Sequence, residues 1–130
     1  MSEITCVVVT PEETALEQTT SFVVVPLADG EKGVGPGHSP MIGRLGHGEL
    51  RLGRGADASR YYVDGGFVQI ADNVVTVLTA RAIPATKIDV DVARESMRTA
   101  ASRPADTDEL RDHRDKMVSQ ARAQIRIAQK

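Results

Sequence analysis

The sequence predicts an α+β fold: an N-terminal antiparallel β-sandwich followed by a C-terminal antiparallel α-helical hairpin. Three observations carry this prediction. Residues 3 to about 82 are a series of short β-branched runs punctuated by glycine, Asp-Gly and Asp-Asn. Near Pro84 the hydrophobic period changes from that of a strand to that of a helix. A short proline-containing break then divides the helical part in two. The predicted domains are residues 1–84 and 85–130.

In the first part, ITCVVVT, SFVVVPL, ELRLGRG, RYYVDGG, FVQIA and NVVTVLTA read as strands. Asp72-Asn73 is placed to close a hairpin between the last two. Gly65-Gly66 marks either a tight turn or a bulge. ITCVVV and FVVV are apolar on both alternating sets, so each is expected to face the core on one side and a neighbour or partner on the other. Many short strands without a helical period between them argue for a sandwich or a flattened barrel.

In the second part, Val90, Ala93, Met97 and Ala100 fall on one helix face. Asp89 or Thr86 is expected to cap this helix, and Arg103-Pro104 to end it. Asp106 and Glu109 have capping-box spacing at the start of a second helix. Its apolar stripe is Leu110, Met117, Val118, Ala121, Ile125 and Ala128. A break this short makes the two helices antiparallel neighbours. The alanine-rich stripes leave two readings open: a hairpin able to dock elsewhere, and one fixed on the sandwich.

Composition narrows the function. The chain has 130 residues, enough for a core without disulfides. Phe22, Phe67, Tyr61, Tyr62 and no tryptophan make the core aliphatic and leave little for base stacking. The single cysteine, Cys6, lies in an apolar strand and reads as inert. No apolar run is long enough to span a bilayer, and MSEITC lacks the parts of a signal peptide, so a cytosolic protein is expected. Residues 1–80 carry five basic and ten acidic groups, net −5; residues 81–130 carry eleven and eight, net +3. Such asymmetry points to two parts with different partners.

The glycine-proline segment GVGPGHSPMIGRL, residues 33–45, raises the question of chemistry. It lacks the GK[ST] of a phosphate loop, and its prolines prevent the helix that a dinucleotide fingerprint opens. The three histidines, His38, His47 and His113, form no ligand motif and there is no CxxC, so no metal is expected. No GxSxG is present, and no catalytic residue or cofactor is indicated. A small hydrolase using His38 or His47 is the rival reading, and a general adaptor domain a third. Docking fits the segment better: glycines admit close backbone approach, prolines stiffen it, and Met41-Ile42 offers an apolar contact unless it folds into the core. After Leu110 the last helix carries Arg111, Arg114, Lys116, Arg122, Arg126 and Lys130 against Asp112 and Asp115, net +4. That charge suits an acidic protein partner better than nucleic acid.

Taken together, these motifs resemble the epsilon-subunit family of F-type ATP synthases. Residues 30–40, GEKGVGPGHSP, are similar to that family's G-E-x-G-x-x-P-G-H-x-P loop. Gly48-Glu49-Leu50-Arg51, Val63-Asp64-Gly65-Gly66-Phe67, Asn73-Val74-Val75-Thr76-Val77-Leu78 and Ile88-Asp89 match further segments in order. The resemblance implies a non-catalytic, peripheral subunit of the central stalk at the cytoplasmic face of the energy-coupling membrane. It would couple c-ring rotation to the catalytic head in proton-driven ATP synthesis, reaching the membrane only through the complex. It implies docking on the gamma subunit through Pro36, Gly37, His38, Pro40, Met41 and Ile42, and contact with the c-ring through a turn at Gly30, Glu31 and Lys32. It also implies that the hairpin inhibits ATP hydrolysis by meeting the beta subunit with Arg111, Arg114, Lys116, Arg122 and Arg126. A weak nucleotide site at Ile88, Asp89 and Ala93 is a further implication, but Val92 stands where that motif has arginine, so little or no ATP binding is expected. Gly35 and Lys32 replace usually apolar residues of the loop, and Asp64 replaces serine.

Overall fold

A computed structural model describes residues 3–129; Met1, Ser2 and Lys130, which entered the reading of the termini above, lie outside the described residues. The chain divides into two compact units between Pro84 and Ala85.

The first unit is a single hydrogen-bonded sheet folded into a sandwich. Its strands are β1 (Ile4–Val9), β2 (Thr14–Thr20), β3 (Val23–Leu27), β4 (Gly30–Val34), β5 (Met41–Leu52), β6 (Ser59–Ala71), β7 (Val74–Leu78) and β8 (Ala82–Pro84). The order is β2-β1-β7-β6-β5-β3-β4, with β8 also paired to β6. Every pair is antiparallel except β1 with β7, which run parallel. Ile4, Cys6 and Val8 alternate inward along β1 and meet Val23, Val25, Val34, Leu45, Leu50, Leu52, Val68, Ile70, Val75 and Val77 in one aliphatic core.

Several strands differ from expectation. β2 (TALEQTT) and β4 (GEKGV) were not predicted, because both are polar outer strands with little β-branched content inward. RYYVDGG and FVQIA are one strand of 13 residues. Gly65-Gly66 is therefore neither a turn nor a bulge. Leu45↔Gly66 and His47↔Asp64 keep one register, so no residue is inserted. Instead β6 changes partner there, pairing with β7 from Phe67 onward and with β8 through Tyr61–Val63. The kink needs left-handed backbone, with φ 72° at Gly65 and 104° at Gly66.

The second unit holds α1 (Val90–Ala101) and α2 (Asp108–Ala128), packed against each other. Asp89 caps α1 through its carboxylate, which accepts from the Val92 N–H at 3.1 Å. The cap of α2 is Thr107, whose hydroxyl accepts from Leu110 N–H. This displaces the predicted Asp106–Glu109 box by one residue, since the Thr107 hydroxyl reaches the orphan amide directly. Ala93 and Ala100 are buried on α1 as expected. On α2, Ala123 and Ile127 are buried although the predicted stripe omitted them, and Leu110 is exposed.

Two glycine substitutions separate strain from simple filling. A Cβ at Gly66 would stand 1.8 Å from the Leu78 carbonyl oxygen on left-handed backbone, whereas one at Gly35 would make ordinary contact with Phe22 at 3.6 Å. Gly66→Ala is expected to lose at least about 2 kcal/mol in urea unfolding, and Gly35→Ala to stay within about 0.5 kcal/mol of the parent. Equal losses would refute the strained corner.

Candidate docking surface

The antiparallel pairing of β5, β6 and β7 sets which side chains leave the core. Ile42 pairs with Gln69, Arg44 with Phe67, Phe67 with Leu78 and Gln69 with Thr76. Directly paired residues share a face, so Ile42, Arg44, Phe67, Gln69, Thr76 and Leu78 form one outer surface. β1 extends it, because Val7 pairs with Thr76 and Val9 with Leu78, both half-buried. Three large apolar residues on this surface are open to solvent: Ile42 at 74%, Phe67 at 53% and Leu78 at 46% exposure. A cleft of about 360 Å³ borders Leu78, lined also by Val9, Pro11 and Gly66. An apolar face of this kind on a small domain is a candidate protein contact.

The glycine-proline loop lies at one end of the same face. Pro36, Gly37 and Pro40 are exposed and His38 is half-buried. His38 Nδ1 lies 2.7 Å from the Ser39 carbonyl oxygen. The Gly37 N–H donates to Asn73 Oδ1 at 2.7 Å, joining the loop to the β6–β7 turn. Met41 and Ile42, expected to act together, are separated by strand alternation. Met41 packs on the core, and Ile42 points out. Phe67, Leu78 and Arg44 were missed by sequence reasoning. The available signal was their period: Phe67 with Gln69, and Leu78 with Thr76, are the outward set of strands whose inward set is Val68, Ile70, Val75 and Val77.

Gly30, Glu31 and Lys32 are the start of strand β4, not a turn. The turn is Ala28-Asp29, because Leu27 already pairs with Gly30. Glu31 accepts from Arg51 at 3.1 Å, and Arg51 also donates to Glu49 at 2.7 Å. Glu49 is only 6% exposed and takes a second cation, Arg60 Nε, at 2.6 Å. A charge chain Glu31–Arg51–Glu49–Arg60 thus crosses β4, β5 and β6. The Glu49 carboxylate, followed by the one on Glu31, pushes the Arg51 pKa further above its ordinary value.

Comparison with known proteins decides the family. Residues 3–85 match the family model of the ATP synthase delta/epsilon chain β-sandwich domain. Over 125 residues the chain is 49% identical to the ATP synthase epsilon chain of Rhodopirellula baltica, covering 96% of this chain and 98% of that one. The chain belongs to the ATP synthase epsilon-chain family. The epsilon chain of Granulibacter bethesdensis is 38% identical over 111 residues, covering 85% and 82% of the two chains. In fold, it is similar to a chain of the Euglena gracilis mitochondrial ATP synthase, with a TM-score of 0.83 at 21% identity over 95% of this chain and 79% of that one. A central stalk and c-ring structure from Tetrahymena thermophila gives a TM-score of 0.73 at 14% identity, covering 96% of both chains.

Within this epsilon-family chain the five basic positions of α2 are not equivalent. Arg111 is paired with Asp108, and Arg114 with Asp115 at 3.3 Å. Lys116, Arg122 and Arg126 have no carboxylate within ion-pair distance among the described residues. Arg122 and Arg126 stand one turn apart on one exposed strip. Of the three nucleotide-motif positions, Asp89 is occupied as a cap, Ala93 is buried and Ile88 is half-buried. Arg94 turns to Asp91 at 4.0 Å, and the motif's arginine position holds exposed Val92. The described residues contain no group of three or more metal-ligating side chains, and no helix among them is long and apolar enough to cross a membrane.

Burial pushes the Cys6 thiol up to about 12 from 9.0. The neutral thiol is the form the fold favours. Its contribution is therefore complete below about pH 9 and is lost as pH rises toward 12. Cys6 is expected to resist a thiol-disulfide reagent at pH 8 in the folded chain and to react fully in urea. Fast reaction of the folded chain would show that the β1 core opens readily.

Proposed function

We propose that this chain joins the rotating stalk of the ATP synthase to its membrane ring, and that its helical hairpin restrains ATP hydrolysis. The observation that carries the first part is the exposed apolar face of Ile42, Phe67 and Leu78, continuous with the His38 loop. That face and loop would dock on the gamma subunit, and the β3–β4 end with Glu31 and Lys32 would meet the c-ring. The similar Euglena and Tetrahymena folds come from assemblies that contain the c-ring, which supports this placement. The subunit carries no reacting group in this reading; it transmits torque and reaches the membrane peripherally, through the ring.

The hairpin supplies the second part. Lys116, Arg122 and Arg126 are the cations left available, and an acidic segment of the beta subunit is the surface they would meet. ATP is expected to bind weakly or not at all, because the anion-holding arginine is replaced by Val92 and Asp89 is engaged by the helix it caps. Tight, stoichiometric heat of ATP binding to the isolated chain would contradict this.

The deciding experiment measures ATP hydrolysis by a catalytic head lacking this subunit, before and after addition of the full chain or of a form ending at Lys87. The full chain is expected to inhibit and the shortened form to bind without inhibiting. Binding without inhibition by both would remove the restraining role; failure of both to bind would remove the docking face. Ile42→Asp with Phe67→Asp is expected to weaken gamma binding at least tenfold, since charges at the centre of an apolar contact are left desolvated. Inhibition by the full chain is expected to weaken between low and about 0.5 M salt, as exposed charge contacts are screened.

A further inference from the structure

We infer that Asn73 is a positioning residue that holds the His38 loop in its docking shape, an inference that rests on the gamma-docking reading above. The loop has few internal means of holding itself. Residues 36–40 are Pro-Gly-His-Ser-Pro, and both prolines lack an N–H. Among the described residues, the one hydrogen bond from this segment to another element is Gly37 N–H to Asn73 Oδ1, at 2.7 Å across 36 positions of sequence. Gly37 itself sits at φ 79°, a conformation that no neighbouring side chain enforces, since no atom lies within 4 Å of where its Cβ would be.

The acceptor is anchored twice. Asn73 is the second residue of a two-residue turn closed by the Ala71↔Val74 pair, with φ 53° at Asp72 and 62° at Asn73. Its own carbonyl accepts the Thr5 N–H at 2.9 Å, tying the turn to β1. A turn of this type is best served by glycine at its second position. Asparagine tolerates the same left-handed backbone and adds a side-chain acceptor. The residue type thus meets two demands that glycine meets only in part: the turn needs φ above zero, and the loop needs an oxygen. Fixing the loop before contact lowers the ordering cost at association.

Three variants of the full chain separate these demands. Asn73→Gly keeps the turn and removes the acceptor, Asn73→Asp keeps both, and Ile42→Asp probes the docking face alone. Asn73→Gly is expected to leave the unfolding midpoint nearly unchanged. It should speed amide hydrogen exchange at Gly37 roughly threefold to tenfold, the range of a single net hydrogen bond. Gamma-subunit affinity should fall by a similar factor, and Asn73→Asp should restore both. Unchanged Gly37 exchange in Asn73→Gly would overturn the inference. So would faster exchange with full gamma affinity, if Ile42→Asp weakens binding; the docking face would then stand without the positioning role. If Ile42→Asp leaves affinity unchanged, the docking reading itself fails and takes the positioning role with it.

Discussion

The register of β5 against β6 decides what this protein shows to a partner. The two strands pair from Met41↔Ile70 to Leu52↔Ser59 and form the longest contact in the sheet. Side chains alternate, so a slip of one residue would exchange every inward position for an outward one. In the observed register Leu45, Val68 and Ile70 are buried and Ile42, Arg44 and Phe67 are outside. The aliphatic core enforces that choice, because with β6 held in place a slipped β5 would bury Arg44 and expose Leu45. The docking face is therefore a by-product of core packing: the same ladder that buries one set of side chains fixes the spacing of the other.

Polar interactions add order where the core does not reach. Glu49 is almost wholly buried between Arg51 and Arg60, and Arg51 passes the link outward to Glu31 on β4. A buried carboxylate with two cationic partners is a weak source of net stability, but removal of one partner is costly. Its consequence here is geometric, since it ties the edge strand β4 to the centre of the sheet. At the opposite side of the sequence loop, Asn73 performs the corresponding task on Gly37 with one neutral hydrogen bond. Both regions proposed to contact partners are thus held by side-chain bonds, one from strand β5 and one from the β6–β7 turn.

Much of this was legible in the residues. The β-branched runs located β1, β3, β7 and, as two separate runs, β6, and the helical period located α1 with Asp89 as one of two candidate caps. β2 and β4 were not legible, because TALEQTT and GEKGV become strands through pairing with β1 and β3, not through their own apolar content. Gly65-Gly66 could not be assigned from sequence, since a partner change on one continuous strand uses the same residues as a turn. The loop announced itself by glycine, proline and histidine. The face beside it was less plain, because Phe67 and Leu78 look like core residues unless their alternation with buried Val68 and Val77 is followed. Asn73 was visible as a turn residue and as the first residue of a family-like segment; its bond to Gly37 spans a distance that no local pattern encodes.

The two proposed activities rest on different physics, and this gives the subunit a division of response. An apolar face of Ile42, Phe67 and Leu78 loses little strength as salt rises, because area removed from water drives it. Contacts through Lys116, Arg122 and Arg126 are exposed, and ions screen them over about 10 Å at 0.1 M. Shifting a two-state hairpin from one extreme to the other takes about 5.5 kcal/mol of differential binding. Three exposed cations at no more than about 1 kcal/mol each fall short of that. Charge alone therefore biases the hairpin without locking it, and a lock needs apolar burial as well. Ala121 and Ala123 of α2 are already buried and add no further area for such a contact. In the proposed function, a restraint built this way would release readily, while the apolar anchor on the sandwich would stay in place.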